Sequence, residues 1–335
     1  MNKKIIAAAI AASFIAPAVI ADTANVTVFG KVRGSVDAVD TTGAKNTTSA
    51  AVVDNVQAND RASRIGFKGS EDLGNGLKAI FHMEFSANIH SAGGADGLGS
   101  RNQFVGLSGD FGTVLTGRHD APHSLAELGG GVNIFGDTVA DMKGTYGPHA
   151  FVRASDVAVA YISPSFSGLT AAVALIPSEN NAGTGPTSAA NGDGLADSVS
   201  WGLIYSNGGL RVGLGGHEGD AADTDRWSAS IKYKMGDFQV AAVYEDRESG
   251  ANNDIENFTI NGKYTMGNNA LKVQFFDSDQ DTANLDQDGW AIGLDHNFSK
   301  RTQAQVTYVS VDSENNGAGA IEDGDVFSVG LNHTF

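Results

Sequence analysis

The sequence predicts an all-β fold, a sixteen-stranded antiparallel transmembrane β-barrel with short turns at one rim and long loops at the other. Three observations carry this. Runs of about ten residues alternate apolar and polar, connections alternate between tight turns and long polar loops, and aromatics gather towards strand ends. A soluble sandwich or propeller also alternates, but it needs neither one-sided loops nor an aromatic at the last position.

Residues 1–21 have the three parts of a secretory signal: Lys3 and Lys4, an apolar run from Ile5 to Ile15, and the small-residue site Val19-Ile20-Ala21. The apolar run is too short for a helical span, which takes roughly 20 residues. Cleavage after Ala21 leaves 335 − 21 = 314 residues, with 22–335 forming one barrel. No later stretch resembles a transmembrane helix.

In the first strand Val26, Val28 and Val32 share one face, and Lys31 and Arg33 take the other. Gly30 and Gly34 fall on the apolar face, where they suit close packing between protomers or loosen the strand. Arg64 opposes Ile65 and Phe67 in the same way. A charge facing lipid at mid-depth costs about 2–4 kcal/mol, so these cations are expected in the lumen. Next, Leu77, Ala79, Phe81, Met83 and Phe85 oppose Lys78, His82 and Glu84.

The pattern then breaks. Residues 119–152 hold three consecutive glycines (Gly129, Gly130, Gly131) and the acids Asp120, Glu127, Asp137 and Asp141, without sustained helical or strand period. So long an unpatterned run inside a compact β protein is uncommon and usually either functional or disordered. The expectation is a loop that folds into the lumen and narrows it.

Alternation resumes and is clearest near the C-terminus. Trp290, Ile292, Leu294 and Phe298 share a face, as do Ala304, Val306 and Tyr308 against Gln303, Gln305 and Thr307. Phe327, Val329, Leu331 and Phe335 close the series. Tight turns fall at 72–75, 110–111, 164–166, 207–208, 236–237, 267–269 and 299–301. Longer connections fall at 39–60, 89–99, 178–196, 219–224, 249–254, 280–286 and 313–323. Barrel closure is needed in lipid, because an open sheet edge would leave backbone groups unpaired.

Composition agrees. The formal charge is −17, or −19 without Lys3 and Lys4, which argues against nucleic acid as a partner. There is no cysteine, and glycine is abundant at 43 residues against 6 prolines. A mean hydropathy of −0.14 looks soluble, but polar lumen residues dilute the lipid-facing ones in a barrel.

Several segments, in order, resemble the Gram-negative general porins, nearest the neisserial and beta-proteobacterial branch. They are Val26-Thr27-Val28-Phe29-Gly30-Lys31, then Ser63-Arg64-Ile65-Gly66-Phe67-Lys68-Gly69-Ser70-Glu71-Asp72-Leu73-Gly74-Asn75-Gly76-Leu77-Lys78, and Phe104-Val105-Gly106-Leu107-Ser108-Gly109-Asp110-Phe111-Gly112. Gly117-Arg118, Tyr161-Ile162-Ser163-Pro164-Ser165-Phe166-Ser167-Gly168-Leu169 and the terminal Phe335 complete the set. The resemblance implies a homotrimer in the outer membrane whose third long loop folds inward, passing ions and small hydrophilic solutes by passive diffusion. It also implies a basic ladder of Lys31, Arg64, Arg101, Arg118 and Arg153 facing loop acids, for which Glu127, Asp137 and Asp141 are the candidates. Ile134 stands where the family often has an acid before the aromatic of Phe135-Gly136-Asp137. Phe335 would be the signal for the barrel assembly machinery. Acidic loops favour a mild cation preference, with the ladder pulling the other way.

No cofactor, metal site or catalytic residue is expected. Asp277-Ser278-Asp279-Gln280-Asp281 begins like a calcium loop, but Thr282 stands where glycine is required. Divalent ions could still bridge such acids to lipopolysaccharide phosphates. His119 and His123 have no evident third ligand. His82 and His296 lack the motif context of a barrel enzyme, and the lumen face shows no aromatic row for a sugar-specific porin. A role as adhesin or phage receptor would rest on loops 39–60 and 178–196.

Overall fold

The computed structural model describes residues 25–43, 53–89, 98–149, 158–177, 196–219, 225–248, 254–281, 285–315 and 321–335. The signal at 1–21 and Arg153 lie outside them. The wall begins with β1 (Asn25–Gly43), β2 (Val53–Asp60), β3 (Arg64–Gly74), β4 (Leu77–Ser86), β5 (Gly99–Gly109) and β6 (Gly112–Arg118). After the inward loop come β7 (Ala158–Ile162), β8 (Leu169–Ile176), β9 (Ser198–Asn207), β10 (Leu210–Gly219), β11 (Arg226–Met235) and β12 (Phe238–Glu248). The series ends with β13 (Asp254–Met266), β14 (Asn269–Gln280), β15 (Leu285–Asn297), β16 (Thr302–Asn315) and β17 (Ile321–Thr334).

These seventeen segments make sixteen wall strands, because β2 and β3 are halves of one. The upper part of β1 pairs with β2 and its lower part with β3. The break falls at Ala62, whose φ of +58° is a left-handed excursion. Every pairing is antiparallel to a sequence neighbour except one, and that one, β1 with β17, closes the barrel.

The alternating faces read from the sequence hold. Val26 is 59% exposed, and Val28, Phe67, Met83, Trp290, Leu294, Phe327 and Leu331 likewise form an outward apolar band. Val32, Val36, Leu271 and Val306 belong to the same band, and their sequence neighbours Arg33, Asp37, Lys272 and Gln305 are buried on the inner face. Trp227 tilts against Tyr244, Trp290 against Tyr308, and Phe238 stacks on Tyr264, as the aromatic girdles of a membrane barrel require. Tight turns at one rim are set by glycines such as Gly208, Gly236 and Gly267, each with φ between +56° and +58°.

The strands run further than the alternation suggested. The connection expected at 39–60 shrinks, since β1 extends to Gly43 and β2 begins at Val53, and β14 to β17 lengthen similarly. Above the apolar band the outward positions turn polar, as at Asp40, Asp312 and Asp325, while inner ones such as Val39, Val311 and Val326 are apolar, so the apolar phase inverts although the ladder continues. The Gly30 expectation also changes. A Cβ there would lie 2.6 Å from both the Phe335 ring and the Arg64 carbonyl oxygen. The space is taken by this chain's own last residue.

Candidate functional site

The inward loop begins at His119 and is followed to His149. It opens with a short helix, α1 (Pro122–Leu128), and Pro122 suits its first turn because the N–H it lacks would have no partner within the helix. Seven residues are too few to show a helical period, which is why the sequence hid it. The helix lies on a floor of small residues on β9 and β10. A Cβ on Gly213 would collide with the Ala126 oxygen, and one on Gly202 would come 2.5 Å from that of Pro122.

Wall side chains then satisfy the loop's backbone carbonyls one after another. Arg211 donates to Leu125 O at 2.7 Å and Ala126 O at 3.0 Å, closing the helix C-terminus. Gln239 donates to Gly131 O at 2.7 Å, Asn261 to Val132 O at 3.0 Å, Arg33 to Gly136 O at 2.9 Å and Gln274 to Ala140 O at 3.2 Å. Lys232 reaches Gly130 O as well. Buried carbonyls need such partners, and here the barrel wall supplies them. Phe135 fills an apolar patch with Val139, Ala140, Phe276, Val309, Val311 and Val326, while Leu128, Val132 and Met142 pack on Ala241 and Val243. Burying a side chain of Phe135's size contributes roughly 1.5–3 kcal/mol.

One acid leaves this seat and meets the opposite wall. Asp137 adopts φ +59°, a conformation Asp tolerates, and its N–H donates to Asp141 Oδ2 at 2.5 Å. Its carboxylate pairs with Lys31 and lies 3.5 Å from Arg64 Nη2. Burial works against its charge, but Lys31 and Arg64 outweigh it and hold the Asp137 pKa below the ordinary value. Glu84 continues the cluster, paired with Arg101 and 3.6 Å from Arg64 Nε. Arg61 pairs with the buried Asp37.

The sequence-predicted residues therefore divide. Lys31, Arg64 and Arg101 join one charged row with Asp137. Arg118 stands at the end of β6 opposite Gln103, with its Nε unbonded and no ion pair among the described residues. Asp141 faces into its own loop, accepting from Asn133 Nδ2 at 2.7 Å and Lys143 N at 3.1 Å. Glu127 points the other way, into the wall, and is fully buried. Neither of these two acids reaches the basic row, because the side an irregular loop presents is not encoded in any period. Sequence reasoning missed Glu84 as a partner, though its polar parity beside Arg64 was a usable signal.

Glu127 belongs to a buried clasp between loop and wall. His149 Nδ1 lies 3.0 Å from Glu127 Oε1 and 3.4 Å from Glu245 Oε2, and its Nε2 is 2.9 Å from Thr259 Oγ1. Asn257 donates to Glu245 at 2.9 Å, and Arg226 Nη1 is 3.7 Å away. Burial opposes a charge on His149, but its hydrogen bonds to the two carboxylates prevail and lift it to about 9. Burial raises Glu127. The trio has metal-ligand chemistry, but a proton on His149 Nδ1 already engages both carboxylates. Nearby, His123 Nε2 lies 3.0 Å from Ser228 Oγ, and burial pushes its pKa down to about 4.

Comparison with known proteins follows the same lines. The family described as Gram-negative porin matches residues 7–316. The major outer membrane protein P.IB of Neisseria meningitidis serogroup B is 30% identical, over 92% of each chain. That of Neisseria lactamica is also 30% identical, over the whole of both. Among solved structures, the anion-selective porin from Comamonas acidovorans superposes with a TM-score of 0.71 at 23% identity, covering 93% of this chain and all of that one. Salmonella typhi OmpF gives 0.66 at 16% identity, covering 92% and 97%.

Proposed function

The chain belongs to the Gram-negative porin family and is an outer-membrane channel for passive diffusion, and we propose that its selectivity is set where Asp137 meets Lys31 and Arg64. The family implies a channel rather than an enzyme. The observation that carries the proposal is the Asp137 carboxylate, held by the inward loop against the lumen-facing cations of β1 and β3. Because Asp137 is in contact with these cations, the cluster acts through its net charge, and an ion passing beside it sees that charge rather than the chain's overall −17.

Lys31, Arg33, Arg64 and Arg101 stand against Asp137 and Glu84, four cations to two acids. This balance favours small anions at the constriction, against the mild cation preference that the acidic composition suggests. Glu127 and Asp141 act by fixing the loop rather than by touching solutes. Arg118 and Arg153 would extend the basic ladder towards the rim. The loop, 119–152, is thus the constriction element of a barrel formed by 22–335, with 1–21 removed on export.

The chain would assemble as a homotrimer, and OmpT of Vibrio cholerae, which shares its fold, has a trimer form. Its outer band would contact lipid and lipopolysaccharide, in part through divalent cations, and Phe335 would be read by the barrel assembly machinery. The test is insertion of refolded mature protein into a planar bilayer. Ohmic current steps that close in thirds, with a reversal potential of anionic sign in a salt gradient, are expected. A silent bilayer containing inserted protein would overturn the channel, and a cationic sign would overturn the charge balance.

A further inference from the structure

Away from the constriction, the inner wall carries a second group of basic side chains, two of them arginines, that the channel reading leaves unused. His217 on β10 is directly opposite Arg226 on β11, and Arg226 is directly opposite Arg247 on β12. Directly opposed residues share a face. That face is the inner one, because Trp227, next to Arg226, points outward against Tyr244, while Ser228, one pleat further, bonds to His123 of the inward loop. The row sits where β11 begins, at the opposite end of that strand from the tight turn at 236–237.

Two arginines side by side across a ladder repel, and a sheet ordinarily avoids that arrangement. Their hydrogen-bonding capacity is also unspent. Arg226 Nε and Nη1, Arg247 Nε and His217 Nδ1 are buried and have no hydrogen-bond partner among the described residues. His217 is 8% exposed and the Arg226 side chain 13%, so the surrounding water does little for them. Glu245 is the one described carboxylate paired with the row. It stands 3.7 Å from Arg226 Nη1 and is committed to Asn257 and His149. Asp225, the next acid in sequence, accepts from Gly219 N.

Four unspent nitrogens, three of them on guanidiniums, lie along one stretch of inner wall. A guanidinium matches a phosphate or carboxylate edge through two parallel hydrogen bonds, and a tetrahedral oxyanion offers enough oxygens for several donors at once. We propose that His217, Arg226 and Arg247 form a binding site for a phosphate group, reached from the lumen and separate from the constriction. The phosphate neutralises the opposed arginines and satisfies the donors the protein leaves open. A single water could accept from at most two of them and would leave the repulsion untouched.

The site is tested with inorganic phosphate on the refolded, full mature protein in detergent, by phosphorus NMR line broadening. Binding is read without current, so failure here is distinct from failure of the channel reading. Saturable broadening is expected for the native chain, weakened by on the order of tenfold in Arg247→Gln and in Arg226→Gln. It should be retained in Lys263→Gln, which removes a cation from another part of the inner wall, and partly restored in Arg247→Lys. Heat-modifiable gel migration confirms that each variant is a closed barrel. Added lipopolysaccharide distinguishes sources: displacement of inorganic phosphate would assign the site to a glycolipid phosphate, and no displacement to a free one. Absence of saturable broadening in the native chain, or an equal loss in Lys263→Gln, would overturn the proposal.

Discussion

Gly30 and Phe335 exchange both of their backbone hydrogen bonds, at 3.1 and 3.0 Å, so the last residue of the chain is the seam of the barrel. The ring of Phe335 occupies the space that a Gly30 side chain would need. Gly30→Val is therefore expected to lower barrel stability by about 1–3 kcal/mol through overpacking. The measurement is the temperature at which the folded gel band converts to the unfolded one. An unchanged temperature would mean the seam tolerates displacement of the terminal ring.

Neutralising either side of the Asp137–Arg64 pair should move selectivity in opposite directions. Arg64→Ser favours cations and Asp137→Asn favours anions. A unit charge about 6 Å from a passing ion in water is worth about 0.7 kcal/mol, roughly a threefold change in permeability ratio. Reversal potentials in a fixed salt gradient read this directly. Shifts of the same sign in both variants would count against this cluster as the charge that passing ions meet.

The glycine floor under α1 predicts a steric phenotype. In Gly213→Val the new side chain meets the Ala126 oxygen, which Arg211 and Ser230 also hold from the wall. The helix must lift into the lumen, so single-channel conductance should fall while the barrel still forms, at a cost of about 1–3 kcal/mol. Unaltered conductance would show that the helix can yield in another direction.

The buried clasp predicts a pH dependence with a definite sign. His149 is raised from 6.5 to about 9, so the folded loop holds this proton more tightly than an unfolded one would. Its stabilisation is complete below pH 6.5 and is lost as the pH rises through about 9. Raised Glu127 has the same sign. His123 is opposite: it is depressed from 6.5 to about 4, so the stability it gives is lost as the pH falls from 6.5 towards 4. Current noise from loop motion should therefore increase above pH 8, and His149→Gln should show that noise already at pH 7. A noise level independent of pH in the native channel would rule the clasp out as the loop's anchor.

Much of the wall was legible in the sequence, because a membrane strand must alternate and the bilayer enforces the same period everywhere. Lys31 and Arg64 could be assigned to the inner face from Val26, Val28, Ile65 and Phe67 alone. What escaped were relations between strands. Glu84 meets Arg64 and Arg101 only once register is fixed, and the opposed pair Arg226 and Arg247 is separated by a turn and most of two strands. Inside the loop no period existed to read, so Glu127, Asp137 and Asp141 looked equivalent. They became distinct when the wall's donors fixed which side of the loop faces where.

Those donors bind the loop largely by its carbonyl oxygens, which every residue type presents alike. The seat is therefore indifferent to many of the side chains it carries. Substitutions at half-exposed loop positions outside the apolar seat, such as Lys143, can change the charge the loop presents while its scaffold stays put. Permeability in this channel is thus an adjustable trait, open to selection one residue at a time without renewed cost in folding.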